Sequence, residues 1–391
     1  MSDLQFASSI SDAEDGTEAA LRVVADVQQR LDAVDLCLVF MTQQHRPEAV
    51  RIVERIRKEL EPGAMVAVLG EGVLGVGREI ERSTGLSLLA GRLPGVVCRA
   101  FHVEMQGWKT LLADPLQLPA RLCLDEETRL LIGFGDAWTT PTGTFLQLLN
   151  EQIPGMPLVG GMASGYAAPG HNLLFVDDVL TDEGFVGVSL GGQLAVQTLL
   201  SQGCRPIGEP MIVTKARRNV IEQLGGLTPV QQLAKTIENM PETEQQHLAN
   251  GLLIGRAITE YKDRFGRGDF LVRNLIDVNR ETGAMASAEP MKPGRTVQFH
   301  VRDARSADED YRLLLDAARV HDAPAGGLLF SCTGRGNQLF ESEPDHDTRL
   351  AQAALPDTPL AGFFAAGEFG PVGGQNFIHS HSACLTLFRR P

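Results

Sequence analysis

Three stretches of this 391-residue chain follow one plan, and that repetition limits its possible folds more than any single motif does. Each opens with a short apolar run ending in turn residues: Leu36–Met41, Leu130–Gly135 and Leu328–Gly334. Such runs read as buried strands. A helical stretch follows each one. In the first, Pro47 stands near the helix start, and Ile52, Val53, Ile56 and Leu60 recur at helical spacing. In the second, Thr140-Pro141 reads as a cap and first-turn proline ahead of Phe145, Leu148 and Leu149; in the third, Pro344-Asp345 precedes Leu350, Ala353 and Ala354. A second strand and a glycine-rich turn come next, at Val66–Gly72, at Pro157–Gly161, and at Pro359–Gly362 running on to Gly367-Glu368. A third apolar strand, near 86–90, 185–190 and 383–388, closes each unit. The plan combines a parallel crossover with antiparallel neighbours, so the expected fold is α/β with mixed sheets, layered α/β/β/α, in two domains.

The stretch between the second and third units has another texture. Thr228-Pro229-Val230-Gln231 and Ser306-Ala307-Asp308-Glu309 read as capping boxes, and strand-like runs lie at 251–258, 270–278 and 297–301. The division expected is a flexible lead-in and first helix over 1–34, one domain over 35–235 and a second over 236–391.

Charge and composition remove several function classes. Acidic residues outnumber basic ones, 49 to 35, so a phosphate backbone is repelled on average and nucleic acid is a poor partner. The cluster Lys215, Arg217 and Arg218 is short and reads as a solvated patch. Six scattered cysteines without a CxxC pair suit reduced thiols in a cytosol. No basic-then-apolar leader opens the sequence, and no run of about 18 apolar residues predicts a membrane helix. The expectation is a cytoplasmic protein without a membrane or nucleic-acid partner.

Gly70-Glu71-Gly72-Val73-Leu74-Gly75 matches GxGxxG directly after a strand. A dinucleotide site also needs a helix opening there and an acid about 20 residues on, and 88–96 hold none. The motif reads as a tight strand turn, and no cofactor is expected. The richest stretch is the last sixty residues. In Ser331-Cys332-Thr333-Gly334-Arg335-Gly336 an arginine sits between glycines, where its guanidinium can clamp a carboxylate. Gly367-Glu368-Phe369-Gly370 presents a carboxylate that can hold an ammonium group, and Asn376, His379 and His381 follow. Arg335 opposed to Glu368 would suit a zwitterion such as an amino acid; the two could equally pair with each other. Cys332 invites a thiol-nucleophile reading, although cysteines on apolar strands are mostly inert. His379 and His381 fall on one face of a strand but lack a third metal ligand at convincing spacing.

At these residues the sequence resembles the FIST family, which joins an N-terminal FIST domain to a FIST C domain. The similarity runs from about Asp35 to the end. It is most specific over Pro359–Phe388, especially Gly362–Pro371 with Asn376 and His379; Gly327–Gly336 supports it, and the match through Val68–Gly72 and Gly160-Gly161…Ser164-Gly165 is looser. The resemblance implies a sensory module of signal transduction that binds small ligands, amino acids among them. Candidate ligand contacts are Arg335, Glu368, Cys332, Asn376, His379 and Glu71. Tyr166 stands in the second unit where the other two lead one to expect an acid. With no output module or F-box expected in the chain, the sensor would act through a separate signalling protein, a homo-oligomer being compatible with this. The alternatives are a protein-interaction scaffold and a Cys332/histidine hydrolase or transferase.

Overall fold

The computed structural model describes residues 4–391 apart from 246, 247, 249, 250, 263 and 267. The chain folds into two compact units. The larger comprises the chain up to Leu200 with Arg312–Ile378 and Ser382–Pro391; the smaller comprises Ser201–Tyr311 and His379–His381.

The larger unit holds three six-stranded sheets. The first runs β1 (Gln5–Ser11), β6 (Leu86–Arg92), β2 (Leu36–Thr42), β3 (Ala64–Gly70), β10 (Leu174–Val176), β11 (Val179–Thr181). The second runs β7 (Val96–Val103), β12 (Phe185–Gly192), β8 (Thr128–Gly135), β9 (Leu158–Met162), β22 (Glu368–Val372), β23 (Gln375–His379). The third runs β13 (Ala195–Gln202), β24 (Ser382–Arg389), β20 (Gly326–Cys332), β21 (Leu360–Ala365), β4 (Gly72–Gly75), β5 (Arg78–Glu81).

Written this way the three sheets correspond position by position. A central strand (β2, β8 or β20) pairs parallel with the strand after its crossover helix and antiparallel with the strand that closes its repeat. The sixfold order is completed by exchange. The β4–β5 hairpin of the first repeat pairs with β21 of the third, β10 of the second repeat pairs with β3 of the first, and β22 of the third pairs with β9 of the second. The mixed-sheet repeat expected from the sequence is present, and no repeat keeps its own hairpin.

Period-two patterning explains how the sheets meet. Leu36, Leu38 and Phe40 of β2 enter one apolar cluster with Leu130, Ile132 and Phe134 of β8 and Leu328 and Phe330 of β20. The alternate residues Cys37, Val39 and Met41 lie under α1 (Gly16–Gln28) and α2 (Ala49–Leu60). On the second sheet, α3 (Met105–Ala113), α4 (Leu118–Arg121) and α5 (Thr142–Gln152) cover Phe101, Leu131 and Phe185 in the same manner. A path through two sheets therefore crosses helix, sheet, sheet and helix, and a third sheet closes the remaining side. Each central strand gives one ring to the shared cluster: Phe40, Phe134 and Phe330 lie 5.8–6.1 Å apart, and Phe363 sits 5.6–5.8 Å from all three. Aromatic pairs at such spacing add roughly 0.5–1.5 kcal/mol each beyond their burial.

The smaller unit is a closed barrel, ordered β14 (Cys204–Arg217), β15 (Val220–Leu224), β18 (Met285–Ser287), β17 (Phe270–Val278), β16 (Leu252–Ala257), β19 (Thr296–Arg302). It also carries α6 (Pro229–Glu238) and α7 (Glu242–Gln245), and α8 (Ala304–Ala318) takes the chain back to the larger unit. The Thr228/Gln231 capping box forms as expected.

Several local expectations need correction. Residues 5–11, expected as part of a flexible lead-in, form β1 and pair along their whole length with β6; residues 1–3 lie outside the described residues. Their alternating Phe6, Ser8 and Ile10 are too sparsely apolar to announce a strand alone. The compact units are a different division from the sequence domains, because the third repeat returns to complete the larger unit. Pro141, not Thr140, sits at the cap of α5, and the Thr140 hydroxyl donates to the Gly184 carbonyl instead. Ser306 lies inside α8, where its hydroxyl donates to Asp303, and the Asp303 carboxylate accepts the Arg305 N–H of the first turn. Across 70–75 one strand gives way to another with no helix. A Cβ on Gly72 would lie 2.7 Å from the Ile80 carbonyl, so packing between strands accounts for that glycine without a nucleotide.

Candidate functional site

The third repeat ends its central strand on Ser331 and Cys332, turns through Gly334, and sends Arg335 back under the protein surface. Arg335 is 0% exposed, a costly position for a guanidinium unless it is fully paired. Its partner is Asp347, on the first turn of α9 (His346–Ala354): Nε and Nη2 each donate at 2.8 Å, one to each carboxylate oxygen. Ser331 donates its hydroxyl to Asp347 at 2.9 Å, and His346 Nδ1 lies 2.9 Å from the other oxygen. The Phe340 ring stacks on His346 at 3.5 Å and lies 5.4 Å from the Arg335 guanidinium carbon. Burial alone would raise the Asp347 pKa; the Arg335 charge and the bonds from His346 and Arg335 overcome it and hold the carboxylate ionised far below the usual range.

Two acids flank this pair. Glu79, on the exchanged β5, accepts the Thr348 N–H at 3.0 Å and its hydroxyl at 3.3 Å. Burial, then the Asp347 charge, push its pKa up to about 8. Glu368 opens β22, is 0% exposed, and accepts the Ser382 hydroxyl at 2.6 Å. Burial raises it to about 8, against the opposing effects of the Ser382 bond, the Arg335 charge and the neighbouring Cys332 thiol. At neutral pH the cluster therefore holds one buried ion pair between two mostly protonated carboxyls. Glu81, next along β5, accepts the Asn337 N–H at 2.8 Å and is also raised by burial. Gly336 has φ +52°, a conformation that strains a side chain, and a Cβ there would also push on the Glu81 carboxylate.

The other sequence candidates fall in different places. Asn376 is a fastener: its side chain accepts the Leu158 N–H at 2.8 Å and donates to the Met156 carbonyl at 2.7 Å. Glu71 is half-buried, with Arg82 3.8 Å away. Its N–H donates to Ser164 Oγ at 2.9 Å, and Ser164 donates to the Phe364 carbonyl, so one hydroxyl joins all three repeats. Tyr166 exchanges backbone hydrogen bonds with the Asn172 side chain. His379 and His381 belong to the smaller unit; His381, at φ +58°, lies in a turn, with Nε2 2.9 Å from Asn274, so the two do not share a regular strand face. Cys384, opposite Phe330, lies in the central apolar cluster. Among the described residues no group of three His, Cys, Asp or Glu side chains is placed to hold a metal. Cys332 receives the Gly334 N–H at 3.5 Å. The neighbouring Glu368 is mostly protonated at neutral pH, so the thiol faces a largely uncharged carboxyl.

The structure thus brings Arg335, Cys332 and Glu368 into one buried neighbourhood, and it gives the Arg335 fork to Asp347 rather than leaving it open. Sequence reasoning passed over Asp347, His346, Ser331, Ser382 and Glu79. Their available signal was weak: Asp345-His346-Asp347 reads as an ordinary acidic helix start, and Glu79 as a solvent-facing strand residue.

Comparison with known proteins finds matches over nearly the whole chain. The FIST N domain model matches residues 35–227 and the FIST C domain model matches 229–371. An uncharacterized protein of Mycobacterium tuberculosis strain H37Rv is 36% identical over 385 residues, covering 97% of this chain and 98% of that protein. An uncharacterized protein of Mycobacterium bovis is 35% identical over 380 residues, covering 96% of each. Among solved structures, cyanuric acid hydrolase from A. caulinodans aligns over 99% of both chains at 9% identity, with a TM-score of 0.35, too low to carry an argument about this chain. No helix among the described residues is long and apolar enough to cross a membrane.

Proposed function

The chain belongs to the FIST family, whose domains are sensory domains of signal transduction, and from that premise we propose that it senses a small molecule and passes its state to a separate signalling protein. Amino acids head the ligand classes to be tried. The observation that supports this reading is the buried cluster of Arg335, Asp347, Glu79 and Glu368. A buried ion pair contributes little to net stability against an apolar replacement, and strongly shifted acids gather at functional sites more than in inert cores. The cluster also joins the exchanged hairpin of the first repeat to α9 of the third. A ligand with different affinity for two arrangements of these elements would bias the population between them, which is all that sensing requires. Arg335 takes part as a member of this element and not as an open carboxylate clamp, because a ligand carboxylate would first have to displace Asp347.

A thermal-shift screen of the purified protein against amino acids, small carboxylates and neutral metabolites tests the reading. A ligand at about 100 times its dissociation constant stabilises by about 2.7 kcal/mol, a clear rise in melting temperature. The rise should shrink in Glu368→Gln if the cluster responds to the ligand. Failure of every compound class to shift the wild type would count against sensing.

A further inference from the structure

We propose that a cavity of about 830 Å³ in the larger unit binds a small organic carboxylate with an apolar body, and that Arg389 is its anion-binding residue. The inference rests on the sensing reading and supplies a ligand site for it. The volume lies within the roughly 300–1,000 Å³ of small-molecule sites. Leu4, beside the edge strand β1, Val196 of the edge strand β13, and Ala325 give its wall apolar surface.

Arg389 supplies the specificity. It is only 9% exposed, and its three hydrogen bonds all go to neutral acceptors: the Asp322 carbonyl at 2.7 Å, the Gln197 amide oxygen at 2.6 Å and the Ala318 carbonyl at 3.2 Å. A guanidinium has five N–H donors, so two remain without a protein acceptor among the described residues. Compare Arg335, whose fork is filled by Asp347. Arg389 is instead fixed in place by carbonyls that leave its positive charge without a hydrogen-bonded counter-ion. Arg390 and His321 also line the cavity; Asp322, whose exposed carboxylate acts on Arg389 through its charge without a hydrogen bond, is the one acidic side chain on that wall among the described residues. In a chain of net charge −14, a buried guanidinium held only by neutral acceptors is a local feature rather than a general attraction for anions. A carboxylate matches the planar donor geometry of Arg389, while the apolar wall requires more of the ligand than an inorganic anion offers.

Benzoate, hexanoate and phenylalanine serve as probes, with benzamide as the uncharged counterpart and inorganic phosphate as the apolar-free anion, all titrated calorimetrically at pH 7 into the full chain. Arg389→Gln removes the charge; Ala323→Trp, at an exposed position on the cavity wall, fills space while keeping the arginine in the sequence. Saturable binding of a carboxylate probe, absent for benzamide and weakened about tenfold or more in both variants, is expected. Phenylalanine binding without benzoate or hexanoate would assign the site to zwitterions within the same chemistry. Should Arg389→Gln not fold, Ala323→Trp carries the test alone. The proposal is overturned by carboxylate affinities unchanged in the folded variants, by equal binding of benzamide, by binding of phosphate alone, or by no binding of any probe. In the first case sensing stands and only this site falls; in the last, the wider screen of neutral compounds decides sensing separately.

Discussion

The carboxyl of Glu368 makes a quantitative claim about pH. Its pKa stands at about 8 in the folded protein against 4.5 for an ordinary glutamate, chiefly through burial. Because the folded value is raised, the native state holds a proton that the unfolded chain has released anywhere between those limits. Stability from this group is therefore complete below pH 4.5 and is lost as pH rises toward 8. Each unit of difference is worth about 1.36 kcal/mol, so the cost reaches roughly 3 kcal/mol at pH 7 and levels off near 5 kcal/mol above pH 8. Glu368→Gln keeps an oxygen to accept the Ser382 hydroxyl but has nothing to ionise. It should match the wild type near pH 4.5 and exceed it by up to those amounts at pH 7 and 9. Denaturant unfolding followed by tryptophan fluorescence is the assay, since Trp108 and Trp138, the only two tryptophans, both belong to the larger unit and report its transition alone. A stability difference that does not change with pH, or one that grows toward acid, would refute the reasoning.

Other perturbations follow from the same geometry. Arg335→Ala leaves Asp347 buried without its cation and should cost about 3–5 kcal/mol, whereas the double replacement Arg335→Met with Asp347→Leu should recover most of that loss in the same unfolding assay. Gly160, at φ +125°, lies where a Cβ would strike the Gly133 carbonyl oxygen of the parallel neighbour β8, so Gly160→Ala should abolish soluble expression of the larger unit, read by its yield and melting curve. Phe40→Ala removes the ring in contact with all three partners of the central cluster and should cost about 3–5 kcal/mol in denaturant unfolding.

The repeat was legible because it is local. An apolar run, a helical stripe and a glycine turn each announce themselves within a dozen residues, and β2, β8 and β20 fall where those signals stand. The hairpin exchange was not legible, because Val73 and Ile80 carry the same apolar pattern whether their hairpin joins β3 or β21. The barrel was visible only as a change of texture: β14 and β15 contain Lys215, Arg217 and Glu222 at positions that interrupt an apolar reading. At the site, glycines marked Arg335 and Glu368 as unusual, but burial decides their chemistry, and burial arises from elements far apart in sequence. Glu79 meets Thr348 across 269 positions.

That long connection yields a last prediction. The Asp347 charge is the second largest cause of the raised Glu79 pKa, and the acid opposing it sits on α9 while Glu79 rides on the exchanged β5. In Asp347→Asn the repulsion disappears and Arg335 loses its counter-ion, so both changes favour ionised Glu79. Its midpoint, about 8 in the wild type, should fall, which carbon-detected NMR of the Glu79 carboxyl can follow. An unmoved midpoint would mean that burial, with the Glu81 and Asp345 charges, holds the proton without Asp347. It would also mean that the hairpin and α9 are not electrically coupled, which would remove the physical route by which a change at Arg335 could be felt in the first repeat.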